Sequence, residues 1–197
     1  ETGRLRRLFR GAITEADLDA LLVSFHDEGV READLSLLAR IAMRRGDYDA
    51  AVEHYTALAD LQPERIVQIG IAWEHRRAVA RFNIGLAHLN AGRPSEAVDD
   101  FRAALDQLGE DPVVLLQLGI AAADAGQLTL AASALERTVQ ADPASVSGWL
   151  HKARVHRQRD EVAAARNSYT RALRLDPDNR TARSGLATLV VPGGPRR

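Results

Sequence analysis

Residues 118–143 read LGIAAADAGQLTLAASALERTVQADP, a stretch of alanine, leucine and glycine with no cysteine, histidine or aromatic residue. Its punctuation is that of two helices. Upstream, Asp111-Pro112 has the form of a cap followed by proline at the first helical position. The first helix is expected to run to about Ala125. Gly126 can take the left-handed conformation that ends it. The second is expected from about Leu128 to Gln140, where Asp142-Pro143 stops it. Gly119 and Ala131 fall where two antiparallel helices would cross, and only small side chains permit that approach.

The same arrangement recurs at a period of 34 residues. When 78–111, 112–145 and 146–179 are aligned, Ile84-Gly85 falls over Leu118-Gly119 and Lys152-Ala153. Gly92 falls over Gly126 and Asp160, Ala97 over Ala131 and Ala165, and Phe101 over Leu135 and Tyr169. Pro143 falls over Pro177, with Gly109 in that slot of the first copy. Residues 32–65 supply a fourth copy, through Leu38-Ala39, Gly46, Ala51, Tyr55 and Pro63. The pattern resembles the tetratricopeptide repeat, whose signature is W-x2-L-G-x2-Y, then A-x3-F, then a late proline. Trp149 occupies the tryptophan slot of the last copy.

That resemblance implies an all-α fold, a right-handed α-solenoid of antiparallel helix pairs over residues 30–191. Repeats are expected at about 32–65, 78–111, 112–145 and 146–179. The proline-free segment 64–90 is expected to be one extended helix, about 40 Å long, with Ile66, Ile69 and Trp73 as an apolar stripe. Residues 14–29 are expected to form a capping helix. Thr14 and Asp17 start it in the manner of a capping box, and Leu18, Leu21, Leu22 and Phe25 form its apolar face. A closing helix is expected over 179–191, followed by a disordered tail at 192–197. Residues 1–13 read as an N-terminal arm whose Glu1-Thr2-Gly3 resembles a vector scar.

Composition sets further bounds. Hydrophobic residues make up 46% and aromatics 5% of 197 residues, which favours helices with aliphatic, alanine-rich cores. With no cysteine, disulfides, thiolate metal sites and cysteine nucleophiles are excluded. No apolar run reaches the roughly 18 residues of a membrane span. The expectation is a soluble chain, cytoplasmic by default, with an exported form open because a leader would have been trimmed. Residues 11–65 carry 12 acidic and 5 basic side chains; residues 151–197 carry 11 basic and 4 acidic. Alanine and arginine are abundant and Lys152 is the sole lysine, a composition that suggests a bacterium with a GC-rich genome.

Nothing in the sequence points to catalysis. No phosphate-loop or dinucleotide motif occurs, and none of the six histidines sits in a His-Glu-x-x-His motif. His88 and His156 occupy the tyrosine slot of their repeats and read as packing residues. Glu96, Asp99, Asp100 and Asp106 read as a solvated helix face. Asn179-Arg180-Thr181 fits a glycosylation acceptor, for which chance is the simpler account. No enzyme activity, cofactor or metal is expected.

Resemblance to the family implies a concave groove lined by the first helix of each pair, where another protein binds. The lining slots that carry side-chain chemistry are Arg40, Phe82, Asn83, Leu86, Asn90, Leu116, Gln117, Ile120, Asp124, Leu150, His151, Arg154 and Arg157. Their middle is apolar and one end is basic, which suits a peptide or helix with aliphatic and acidic residues. The occupant could instead be the chain's own N-terminal helix. Some family members clamp a chaperone's C-terminal carboxylate with Lys and Asn, then Asn, then Lys and Arg. Asn83 matches the middle slot, but Ser36, Arg40, Val113 and Gln117 replace the others, so the clamp's charges are missing. The expected role is a non-enzymatic scaffold. The alternatives are a basic C-terminal end that binds an acidic surface or nucleic acid, a regulatory or oligomerisation module of a larger protein, and head-to-tail self-association.

Overall fold

The computed structural model describes residues 32–60 and 70–189. Among them the chain forms α1 (Glu32–Arg45), α2 (Tyr48–Asp60), α3 (Gly70–Asn90), α4 (Pro94–Leu108), α5 (Pro112–Asp124), α6 (Leu128–Ala141), α7 (Val146–Gln158), α8 (Val162–Leu175) and α9 (Arg180–Thr188), with no strand. The helices pair as α1/α2, α3/α4, α5/α6 and α7/α8, with α9 closing the stack. The expected capping helix 14–29, Ile66, Ile69 and the tail lie outside the described residues. Helix α9 ends at Thr188, and Leu189 beyond it has an extended backbone.

The punctuation acts as the sequence suggests. The Asp111 carboxylate accepts hydrogen bonds from the backbone N–H groups of Val113 and Val114, at 2.9 and 3.1 Å. Ser145 and Asn179 cap α7 and α9 in the same way. These acceptors satisfy amides that a helix start would leave bare. Gly46, Gly92 and Gly126 have φ of +75°, +73° and +75° in the turn after each first helix. In the last pair Asp160 takes that slot with φ +59°. It is the kind of short polar residue that tolerates the left-handed region best after glycine.

Small residues set the helix crossings. A Cβ on Gly119 would lie 2.5 Å from Cγ of Leu135, and one on Gly85 would lie 2.7 Å from the Phe101 ring. Ala97, Ala131 and Ala165, one repeat apart, are fully buried. The largest apolar cluster runs from α4 through α5 and α6 to Val155 of α7, around Phe101, Leu118 and Leu135. A second cluster, around Ala153, Tyr169, Ala172 and Ala182, joins α7, α8 and α9. Ala39, Tyr55 and Ile84 form a smaller one that joins α1 and α2 to α3. Each pair therefore buries its apolar face against the next, as a solenoid requires.

One acidic residue departs from the sequence expectation. Asp100 is buried, not part of a solvated face. Its Oδ2 lies 2.7 Å from Nδ1 of His88, and its Oδ1 lies 3.5 Å from the Arg81 guanidinium. His88 Nε2 in turn lies 3.2 Å from Glu96. The histidine in the tyrosine slot gives the facing carboxylate a partner, which lets it be buried. Asp99 and Asp106 are exposed as expected.

Candidate functional site

Helices α3, α5 and α7 are the first members of successive pairs. Beyond its contacts within the stack, α5 touches both α3 and α7. These three first helices therefore lie side by side along one side of the stack.

On this side the apolar candidates are half-buried rather than free. Phe82, Leu86 and Leu116 rest against the largest cluster, and Leu150 rests against the C-terminal one. The Phe82 and Phe101 rings are 5.7 Å apart between centroids. Ile120 is also half-buried. Val79 and Val113, one turn before Phe82 and Leu116, are 41% and 57% exposed, unusually high for large apolar side chains in this chain. They occupy equivalent slots of adjacent repeats, so the exposure itself repeats.

The polar candidates divide. Asn83 spends an amide donor on the Val79 carbonyl, at 2.9 Å. Gln117 is half-buried and Asn90 exposed. Asp124 and Arg154 pair across the gap between α5 and α7, at 2.9 Å. One of the basic groups thus already has an internal counterion. Arg157 is exposed. His151 is half-buried, and its Nδ1 is buried with no hydrogen-bond partner. Burial pushes its imidazole pKa down, the Arg154 charge acts in the same direction, and Asp124 opposes both. The ring therefore favours its neutral form and adds no positive charge to this side of the stack. Arg40 is exposed on α1, with two helix pairs between it and the pair that carries Arg154.

Trp149 packs against the C-terminal apolar cluster and also meets polar groups. Its indole N–H donates to the Pro143 carbonyl at 3.0 Å, and the Lys152 ammonium lies 4.9 Å from the ring centroid. Lys152 also pairs with Glu136 at 2.5 Å. This ties α7 to α6 and leaves the tryptophan engaged within the stack. Among the described residues no group of three His, Cys, Asp or Glu side chains is placed to hold a metal ion. No described helix is long and apolar enough to cross a membrane.

The tetratricopeptide repeat model matches residues 36–112, 116–180 and 152–190, which is more than half of the chain. The chain belongs to the tetratricopeptide repeat family. Members of this family are non-enzymatic interaction scaffolds. No curated protein matches the chain in sequence. Among solved structures it is similar to MamA 41-end from Desulfovibrio magneticus RS-1, with TM-score 0.73 and 19% identity over 89% of this chain and 92% of that one. It is also similar to the first tetratricopeptide domain of Spaghetti bound to the HSP90 peptide SRMEEVD, with TM-score 0.56 and 19% identity over 58% and 91% of the two chains. The Sgt2 domain from Aspergillus fumigatus aligns with TM-score 0.54 and 20% identity, over 57% of this chain and 76% of its own. At these identities the likeness is one of fold, a tetratricopeptide solenoid.

Proposed function

We propose that the chain is a protein-interaction scaffold whose inner face binds a peptide or helical segment of a partner. The observation that carries this reading is the repeated exposure of Val79 and Val113 beside the half-buried Phe82, Leu86, Leu116 and Ile120. Apolar side chains left open in register along one face gain most from a partner that covers them. The Spaghetti domain, bound to a peptide in its solved structure, supports peptide binding as a use of this fold. The partner segment would place aliphatic residues against α3 and α5, and an acidic residue near Arg157. A chaperone-tail clamp is disfavoured because Val113 and Gln117 stand where it needs cations.

Affinity capture from the source organism's lysate tests the reading, with a Val79→Glu/Val113→Glu variant beside the wild type. Leu116 and Ile120 are less suitable targets, since Leu116 also packs against the core. A protein held by the wild type and lost by a variant of unchanged melting temperature is the expected result. Capture that the variant retains, or that nuclease treatment abolishes, would overturn the proposal.

A further inference from the structure

The charged side chains of the second helices are graded along the stack. Helix α2 carries Asp49, Glu53 and Asp60 and no Lys or Arg. Helix α4 carries Glu96, Asp99, Asp100 and Asp106 against Arg102. Helix α6 is balanced, with Glu136 and Arg137. Helix α8 carries Arg166, Arg171 and Arg174 and no acid. The first helices show no such order: α3, near the acidic end, has three arginines and one glutamate.

Apart from the buried Asp100 and the half-buried Glu136 and Arg137, these second-helix charges are exposed. Asp49, Glu53, Asp60, Asp99 and Asp106 are exposed, as are Arg166, Arg171 and Arg174. On α2 the three acids are four and eleven residues apart, which at 3.6 residues per turn aligns them in one stripe about 16 Å long. Arg166 and Arg174 span about 12 Å of α8 on the same scale. Asp49 already meets Arg93 at 2.6 Å, and Arg171 lies 6.0 Å from the Trp149 ring centroid. Among the described residues no ion pair holds Glu53, Asp60, Arg166 or Arg174 within the chain.

We propose that the basic outer face of α8 docks on the acidic outer face of α2 and α4 in a second copy of this chain. The two patches lie at opposite ends of one solenoid, so a single molecule cannot join them. The contact is heterologous and propagates head to tail. A second copy fits better than a nucleic acid. A polyanion that followed the outer face beyond α8 would meet the acids of α4 and α2, which repel it. The association is weak and salt-sensitive, because the pairs are exposed. It is independent of the groove, which lies on the other side of the stack.

Sedimentation equilibrium of the full chain tests this. At about 10 mM salt the weight-average mass should rise with concentration above that of the 21.5 kDa monomer, and at about 1 M salt it should return to it. The association constant should fall about tenfold or more between the two. Arg166→Glu/Arg171→Glu/Arg174→Glu should be monomeric at low salt, and so should Glu53→Arg/Asp60→Arg. An equimolar mixture of the two variants should associate again, since each now presents the complement of the other. A wild type that stays monomeric at low salt and high concentration would overturn the proposal. So would self-association that survives both sets of reversals or a mixture that stays monomeric. Unchanged circular dichroism and melting temperature confirm that the variants are folded.

Discussion

Gly119 is the position where the packing account can be tested most sharply. A Cβ there would sit 2.5 Å from Cγ and 2.8 Å from Cδ2 of Leu135, a side chain that is itself fully buried. Two opposed effects act on Gly119→Ala. Helix propensity favours alanine by about 1 kcal/mol. Overpacking costs about 1–3 kcal/mol, because Leu135 must leave its well-packed rotamer. The net for alanine is therefore a loss of up to about 2 kcal/mol. Gly119→Leu adds three further carbons to the same crossing and should lose about 3 kcal/mol or more. For a chain of this size that corresponds to a fall of roughly 6–12 °C in melting temperature. A double-mutant cycle isolates the cause. Leu135→Ala alone leaves a cavity and costs about 2–5 kcal/mol. With Leu135 already truncated, Gly119→Ala should become neutral or stabilising, since its methyl then enters free space. Thermal melts of the four proteins give the coupling. If Gly119→Leu leaves the melting temperature unchanged, or if the two substitutions are additive, the helices do not cross at Gly119 as described.

Three further outcomes follow from other positions. Gly126 has φ +75°, and no atom lies within 4 Å of the place a Cβ would take, so its change to alanine should cost about 1 kcal/mol from backbone conformation alone, read by urea unfolding. Asp100→Ala should cost about 1–3 kcal/mol, since it strips His88 and Arg81 of a buried partner, whereas the exposed neighbour Asp99→Ala should stay within about 0.5 kcal/mol. His151 has a folded pKa below its ordinary 6.5, so the fold favours the neutral ring; its contribution is complete above pH 6.5 and is lost as pH falls from there through the folded pKa. His151→Gln should flatten the decline in stability over that acid window, and an unchanged profile would show that burial does not hold the ring neutral.

The architecture was legible because its determinants are local. Gly126, Asp111-Pro112 and Asp142-Pro143 each specify a helix end within a few residues, and the 34-residue recurrence shows that the ends repeat. Gly119 could be assigned to a crossing because its slot holds Gly85 and Ala153 in the adjacent copies. The polar partnerships were not legible. Asp100 pairs with His88 twelve residues away across a helix crossing, and four acids in eleven residues look from sequence like a solvated face. Arg154 and Asp124 are thirty residues apart and meet only because α5 and α7 lie side by side. The slots on the first helices could be named from the repeat, but not how deeply each is buried. Leu116 and Leu86 are drawn half into the core, whereas Val79 and Val113 on the same helices stay exposed. The signal was present in sequence as valine at the same slot of two adjacent copies. What it lacked was the packing of each helix, which decides how far each of two neighbouring slots is covered.

The most direct test of the binding account is hydrogen exchange on the chain, with and without the partner captured through it. Bound partner should slow exchange in α3, α5 and α7 around Val79, Val113 and Arg157, and leave the outer faces of α4 and α6 unchanged. Protection confined to α8 and α9, with the first helices exchanging as in the free chain, would contradict the assignment of the inner face as the binding surface.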